Sequence, residues 1–185
     1  EGLIVGSACE QGELYKAVVD GKDEQTLLEI ADYYDYLEIQ PLGNNEFMVR
    51  DSVKPDKVDK KGNVTPNRFK NVTSIDVIKD FNRKIVEIAD KLGKPVVATG
   101  DCHYVNPEDK ILRDVYINAK AIGGGAHPLN PPTRSHYKPF ANPDQHFRST
   151  AEMLESFEQW LPKEEAEEYV IKNSNWVADQ IEDHI

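Results

Sequence analysis

Lys94-Pro95-Val96-Val97-Ala98-Thr99-Gly100-Asp101-Cys102-His103-Tyr104 is the stretch on which the fold prediction rests. Its apolar run, Pro95 to Thr99, lies between two glycines, which is typical of a strand buried on both faces of a parallel sheet. A long amphipathic helix is predicted before it, from Ile75 to Leu92, and a second helix after it, capped by Asn106. Helix, strand and helix in this order predict an α/β fold with parallel strands.

Two residues that commonly bind metal ions follow the end of this strand. Asp101 offers a carboxylate and His103 an imidazole, at the strand end where α/β folds place their chemistry. If the extended conformation continues to His103, these two side chains share one face, and Cys102 between them turns into the packing. A structural Asp–His hydrogen bond needs the same spacing, so the pattern leaves a metal site and a structural pair both open.

A similar arrangement opens the chain. Leu3 to Val5 is predicted to be a short strand, followed by small residues, Cys9 and a helix from Gly12 to about Asp20. Cys9 is either a small buried apolar side chain or a metal ligand. A further strand is predicted from Tyr34 to Gln40, with Glu38 as a polar residue held by hydrogen bonds or as a carboxylate that supports the site.

The remaining stretches are predicted from their composition. We expect residues 44–72 to form a mobile surface loop with a hairpin turn around Gly62. The five prolines between Ala126 and Gln145 predict an extended connection, whose region also carries His127, His136 and His146. The irregular spacing of these histidines favours exposed or packed side chains over metal ligands. The capping box Ser149-Thr150-Ala151-Glu152 predicts the start of a helix, and the last helix, predicted after Pro162, carries one apolar stripe from Ala166 to Ile181. We divide the chain into residues 1–145 and a helical extension, 146–185.

Composition limits the possible functions. The 185 residues carry a formal net charge of −11, which is unlike the basic surface of a protein that grips nucleic-acid phosphates. Two cysteines provide no disulfide framework, and we therefore expect a reducing cytoplasm. The sequence has no apolar run near the roughly 20 residues that span a bilayer. The chain begins with Glu1 rather than Met, from which we expect a fragment of a longer protein.

Taken together, several motifs resemble the PHP (polymerase and histidinol phosphatase) domain of bacterial replicative DNA polymerase III alpha subunits, most closely the PolC type. They are Gly6-Ser7-Ala8-Cys9-Glu10, Tyr36-Leu37-Glu38-Ile39-Gln40, Pro95 to Tyr104 with Pro107-Glu108-Asp109, and His146-Phe147-Arg148-Ser149-Thr150-Ala151-Glu152-Met153-Leu154. The resemblance covers nearly the whole chain except residues 44–72.

The resemblance implies a distorted (β/α)7 barrel with metal ligands at the carboxyl ends of its strands. By motif, Cys9, Asp101 and His103 occupy three ligand positions for a divalent metal, Zn, Mn or Mg. The opening His-x-His motif of the family is absent, so we expect an incomplete site. In PolC-type enzymes an exonuclease is inserted within the PHP domain, and the chain is therefore interpreted as the C-terminal part of that domain.

Three functions follow as hypotheses. The first is a structural and metal-binding part of a replicative polymerase. Its partners within the polymerase would be the upstream PHP half, the exonuclease, the palm and the thumb, and the full-length enzyme would bind DNA and replisome proteins. The second is a metal-dependent phosphoesterase or 3'-5' exonuclease, and the third is a non-catalytic replisome interaction module. We expect the isolated chain to be catalytically inactive, to have no membrane partner, and to self-associate through exposed strand edges.

Overall fold

The computed structural model describes residues 2–119, 123–125, 127, 129–130 and 142–181. The polypeptide divides into two units, each assembled from separate stretches of chain. The first unit comprises Glu1–Pro41, Lys79–Asp101 and Arg148–Ile185, and the second comprises Leu42–Ile78 and Cys102–Phe147. The boundary between residues 145 and 146 that the sequence suggested stays a prediction.

The described residues form short strands separated by helices. In chain order the elements are α1 (Glu13–Val19), α2 (Glu24–Asp32), β1 (Leu37–Ile39), α3 (Phe47–Asp51), β2 (Lys57–Val58), β3 (Val64–Thr65), α4 (Ile75–Leu92), β4 (Val96–Ala98), α5 (Lys110–Asn118), α6 (Thr150–Glu158), α7 (Lys163–Glu167) and α8 (Asn173–Asp179), with 3-10 turns at Leu42–Asn45 and Pro107–Asp109 and a π turn at Glu168–Lys172.

A parallel sheet forms the centre of the first unit. β1 and β4 pair in parallel, with Leu37 opposite Val96 and Ile39 opposite Ala98. All three residues of β4 are buried, as expected for a strand covered on both faces. On the other side of β1, Gly6 forms a single parallel bridge with Tyr36, so the strand predicted at Leu3 to Val5 is wrong and only a one-residue bridge is present. The α/β class with parallel strands is confirmed, and the barrel stays a prediction.

Local sequence signals determine where the helices begin. Asp23 caps α2, because its carboxylate accepts a hydrogen bond from the backbone N–H of Thr26 at 3.0 Å. Ser149 and Glu152 form the predicted capping box at the start of α6. The predicted helix from Ile75 to Leu92 is confirmed as α4, which buries an apolar stripe including Ile85, Ile88 and Ala89.

The last helical stretch is buried only in its first half. Ala166, Tyr169 and Val170 are buried, whereas Trp176 and Ile181 are exposed, although the sequence predicted one continuous apolar stripe. The π turn accounts for this difference, since its extra residue rotates the following side chains around the helix axis.

The second unit contains more structure than the predicted surface loop. Residues 42–51 form a 3-10 turn and α3, and Phe47 and Met48 are buried. Asp51 is also buried, and its charge is paired with Arg50 at 2.8 Å and Lys54 at 2.6 Å. The hairpin is confirmed: β2 and β3 pair in antiparallel fashion around Gly62, which has φ +86°.

Among the helices of the described residues, none is both long enough and apolar enough to cross a bilayer. Most of the predicted proline-rich connection, including His136, lies outside the described residues.

Candidate metal centre

The loop that carries Cys9 is fastened to the edge of β1. The backbone N–H of Ser7 donates to the carbonyl of Tyr36 at 3.2 Å, and the hydroxyl of Ser7 accepts from the backbone N–H of Glu38 at 2.9 Å. In return, the Glu38 carboxylate accepts from the backbone N–H of Ala8 at 3.0 Å. The prediction that Glu38 is held by hydrogen bonds is therefore confirmed, and the same bonds hold the loop.

The shape of this loop depends on two glycines. A Cβ at Gly6 would lie 2.4 Å from the ring of Tyr36, and one at Gly12 would lie 2.2 Å from the carbonyl oxygen of Ser7. Ala8 adopts a left-handed conformation with φ +60°, which is uncommon for a residue with a side chain. The Gly-Ser-Ala-Cys sequence thus supports a tight turn that presents Cys9.

Three side chains that can bind a metal ion converge in the first unit. The Cys9 sulfur and one carboxylate oxygen each from Glu10 and Asp101 all lie within 4.8 Å of one another, and all three residues are half-buried. Two of these three residues, Cys9 and Asp101, were predicted from the sequence. The structure therefore brings the loop at Cys9 next to the turn at Asp101, about ninety residues later in the chain.

The conformation after β4 differs from the predicted one. The strand ends at Ala98, and Asp101 has φ +45°, so the extended conformation does not continue to His103. The alternation that placed Cys102 in the packing is therefore wrong, and Cys102 is exposed. The left-handed turn at Asp101 is an unusual backbone state for a residue other than glycine and coincides with the candidate ligand.

The electrostatics of the cluster disfavour a free thiolate. Burial, assisted by the nearby carboxylates of Glu10 and Asp101, raises the pKa of the Cys9 thiol to about 11, although a hydrogen bond from the backbone of Gln11 acts in the opposite direction. A divalent cation would reverse this balance, because it neutralises the carboxylates and stabilises the thiolate as a ligand. One thiolate and two carboxylates are a donor set that a divalent metal ion can accept, and three such ligands leave a coordination position open.

His103, the third predicted ligand, belongs to the second unit. Its backbone N–H donates to the carbonyl of Gln145 at 2.8 Å, and the next residue, Tyr104, forms a parallel bridge with His146. The Tyr104 hydroxyl donates to Asp144 at 3.1 Å. Residues 103 and 104 are thus fixed by the segment 144–147, while the convergence of His103 with Cys9 and Asp101 stays a prediction.

A shallow cleft of about 470 Å³ also lies in the second unit, and His103, Tyr104 and Arg113 are among the residues that line it. Nearby, the ring of His127 packs edge-on against Tyr116. Burial, followed by the positive charge of Arg113, lowers the pKa of His127 and favours its neutral form.

Two other histidines of this region, His127 and His146, make local contacts, and the prediction that they are not metal ligands stays a prediction. His127 Nδ1 accepts from the backbone N–H of Leu129 at 3.1 Å, and His146 pairs with Asp144 at 3.0 Å.

Glu10 was not identified as a site residue from the sequence. Its side chain joins the cluster because the chain turns at Cys9, where the backbone N–H of Gly12 donates to the Cys9 carbonyl at 2.8 Å. The available signal was a carboxylate directly beside a candidate thiol ligand. Strand alternation could not use this signal, because Glu10 lies in a turn.

Over nearly its whole length, the chain is similar in sequence to several proteins that carry the same name. It is 40% identical over 182 residues to DNA polymerase III PolC-type of Clostridium perfringens, a match that spans 98% of this chain and 10% of the relative. It is 40% identical over 185 residues to the protein of the same name from Lacticaseibacillus paracasei, across 100% of this chain and 11% of the relative. The Bacillus subtilis protein of that name is 34% identical over 189 residues, across 99% of this chain and 11% of the relative.

The chain thus spans about a tenth of the length of the curated relatives it matches. No protein-family model matches it.

Proposed function

Because the chain belongs, as a segment, to the PolC-type DNA polymerase III family, we propose that it is a metal-binding and structural part of a replicative DNA polymerase. In this proposal it forms the C-terminal portion of a PHP domain. DNA-directed DNA synthesis belongs to the full-length polymerase, and the residues that perform it lie outside these 185 residues.

The observation that carries the metal-binding role is the convergence of Cys9, Glu10 and Asp101 within 4.8 Å. A thiol and two carboxylates that converge in this way offer sulfur and oxygen donors to one divalent cation. Hydrogen bonds to β1 hold the loop that carries Cys9 in place. His103 enters the proposal through its Asp-x-His motif.

The role of the bound ion is to fasten the turn at Asp101 to the loop at Cys9. A metal that links two distant segments stabilises the folded state by its binding free energy, because the unfolded chain has no preformed site. Hydrolysis would also require a positioned substrate and the further ligands of a multi-metal cluster, and the His-x-His motif that would supply such ligands is absent from this sequence. We therefore propose that the isolated chain has no phosphoesterase, exonuclease or polymerase activity.

Zinc titration of the purified chain by calorimetry tests the metal-binding role. Wild-type protein is expected to bind Zn²⁺, and Cys9→Ser, Glu10→Gln and Asp101→Asn are each expected to weaken binding by roughly tenfold or more, since each removes a direct ligand. The matched control is Cys102→Ser, which removes the exposed thiol and is expected to leave zinc affinity unchanged.

Two outcomes would contradict the proposal. One is zinc binding that survives Cys9→Ser and Asp101→Asn together, which would place the ion elsewhere. The other is equal weakening by Cys102→Ser and Cys9→Ser. Metal-dependent release of nucleotides from single-stranded DNA, abolished by His103→Ala, would instead support the phosphoesterase alternative.

A further inference from the structure

Helix α5 turns its apolar side chains outward. Four large apolar residues lie on its outer face, at successive spacings of one, three and one positions, and they are between 63% and 66% exposed: Ile111, Leu112, Val115 and Tyr116. The inner face buries Asp114 and Ile117. A surface helix normally buries its apolar stripe and exposes its polar one, so α5 has the reverse arrangement.

The rotation of α5 about its axis is fixed. Ile117 is fully buried, and the Asp114 carboxylate accepts a hydrogen bond from the buried side chain of Asn142 at 2.7 Å. At its start, the preceding turn is held by a capping box between Asn106 and Asp109. The helix therefore cannot rotate to bury the outer face without breaking a buried hydrogen bond and exposing Ile117.

The outer face continues into the shallow cleft. Leu112 and Tyr116 line the cleft together with Tyr104 and Arg113. The guanidinium carbon of Arg113 lies 5.5 Å from the centroid of the Tyr116 ring, which orients both side chains. The surface thus combines an apolar ridge with an adjoining recess, as docking surfaces for protein segments commonly do.

We propose that the outer face of α5 docks against a segment of the polymerase polypeptide that lies outside these 185 residues. This inference rests on the proposed function, which places the chain in a polymerase about ten times as long, as its relatives are. About nine tenths of such a polypeptide is available to cover this face. An exposed apolar helix face of this kind is costly in water and becomes favourable once it is covered.

The size of the face favours a tethered partner over a second copy of the chain. Four side chains of this size offer roughly 500 Å², whereas a stable interface between separate proteins buries about 800 Å² on each partner. A segment of the same polypeptide needs less area, because the tether holds it at an effective concentration on the order of millimolar.

Site-specific photocross-linking in the full-length polymerase tests the proposal. The photoreactive residue p-benzoylphenylalanine replaces Val115 in one variant and Val58 in a control variant, and the cross-linked peptides are identified by mass spectrometry. Val58 is a matched control, because it is the same residue type and is 65% exposed, compared with 64% for Val115. We expect position 115 to cross-link to peptides outside residues 1–185, and to do so more strongly than position 58.

Cross-links from position 115 that reach only peptides within residues 1–185, or only a second polymerase molecule, would overturn the proposal. So would the absence of any cross-link above that of position 58. As a second measurement, Leu112→Gln and Val115→Gln are expected to lower the Tm of the full-length polymerase while leaving the Tm of the 185-residue chain unchanged. Zinc binding through Cys9 is measured separately, so failure of the metal proposal and failure of this one give different results.

Discussion

Replacing Ser7 by Ala is expected to loosen the loop that carries Cys9. Ser7 is 2% exposed, and its hydroxyl accepts the backbone N–H of Glu38 at 2.9 Å. The hydrogen bonds from β1 to β4 are formed by other backbone groups. The N–H of Leu37 donates to the carbonyl of Pro95, and the carbonyl of Ile39 accepts from the N–H of Thr99, both at 3.0 Å. The N–H of Glu38 therefore points toward Ser7, and the substitution removes its acceptor.

The expected loss of stability in Ser7→Ala follows from the cost of leaving the backbone N–H of Glu38 without an acceptor. Leaving such a group without a partner costs about 1–3 kcal/mol in the free energy of unfolding. For a chain of this length each kcal/mol corresponds to roughly 2–4 °C in Tm, which gives a decrease of about 2–12 °C. Zinc affinity is expected to fall as well, since the loop that presents Cys9 loses one of its attachments to β1.

Thermal unfolding followed by circular dichroism, with a urea titration alongside, measures this effect. The matched control is Ser156→Ala in α6, which removes a hydroxyl whose hydrogen bond to the carbonyl of Glu152, at 2.8 Å, is exposed. It is expected to change stability by no more than about 0.5 kcal/mol. If Ser7→Ala also remained within about 0.5 kcal/mol of the wild type, the Ser7 hydroxyl would not be an important attachment of the loop.

Three further predictions concern Gly12, the two cysteines and Tyr169. Gly12→Ala is expected to lower the urea midpoint, with a loss of roughly 1–3 kcal/mol, because the new Cβ would meet the Ser7 carbonyl; an unchanged midpoint would contradict the tight turn. At pH 8 without metal, iodoacetamide is expected to modify exposed Cys102 well before Cys9, whose pKa is raised to about 11, as peptide mass spectrometry can show. Burial raises the pKa of the Tyr169 hydroxyl to about 12 in the folded chain, compared with about 10 in the unfolded chain. The folded state therefore gains stability from neutral Tyr169 below pH 10, and this gain is lost as the pH rises from about 10 through 12. Stability should therefore fall less steeply over this alkaline range in Tyr169→Phe, and an identical slope would refute this assignment.

Sequence periodicity predicted the regular elements well. The helix from Ile75 to Leu92 and the strand inside Pro95 to Thr99 were identified because an apolar stripe and a short apolar run are strong local signals. The hairpin at Gly62 and the capping box at Ser149 were identified because a few residue types satisfy those backbone geometries.

The candidate site was predicted less completely, because its geometry depends on backbone turns. Left-handed conformations at Ala8 and Asp101 redirect the chain in ways that strand alternation does not anticipate, which explains why Cys102 is exposed and why Glu10 joins the cluster. The buried residues of α3 were also missed, since a five-residue helix is too short to show a clear period.

The outward apolar face of α5 illustrates a further limit. Periodicity indicates which residues share a helix face, but it does not indicate which face is buried in a given unit. In α5, the buried contact of Asp114 with Asn142 determines the orientation, and it joins residues 28 positions apart in the sequence.

Whether Cys9 binds a metal ion can be read from the absorption spectrum of the Co²⁺-loaded chain. Thiolate ligation produces a sulfur-to-cobalt charge-transfer band in the near ultraviolet, which carboxylates and imidazoles do not produce. We expect this band in the wild type and in Cys102→Ser, and we expect it to be absent in Cys9→Ser. A band that persists in Cys9→Ser, or that disappears in Cys102→Ser alone, would contradict this expectation.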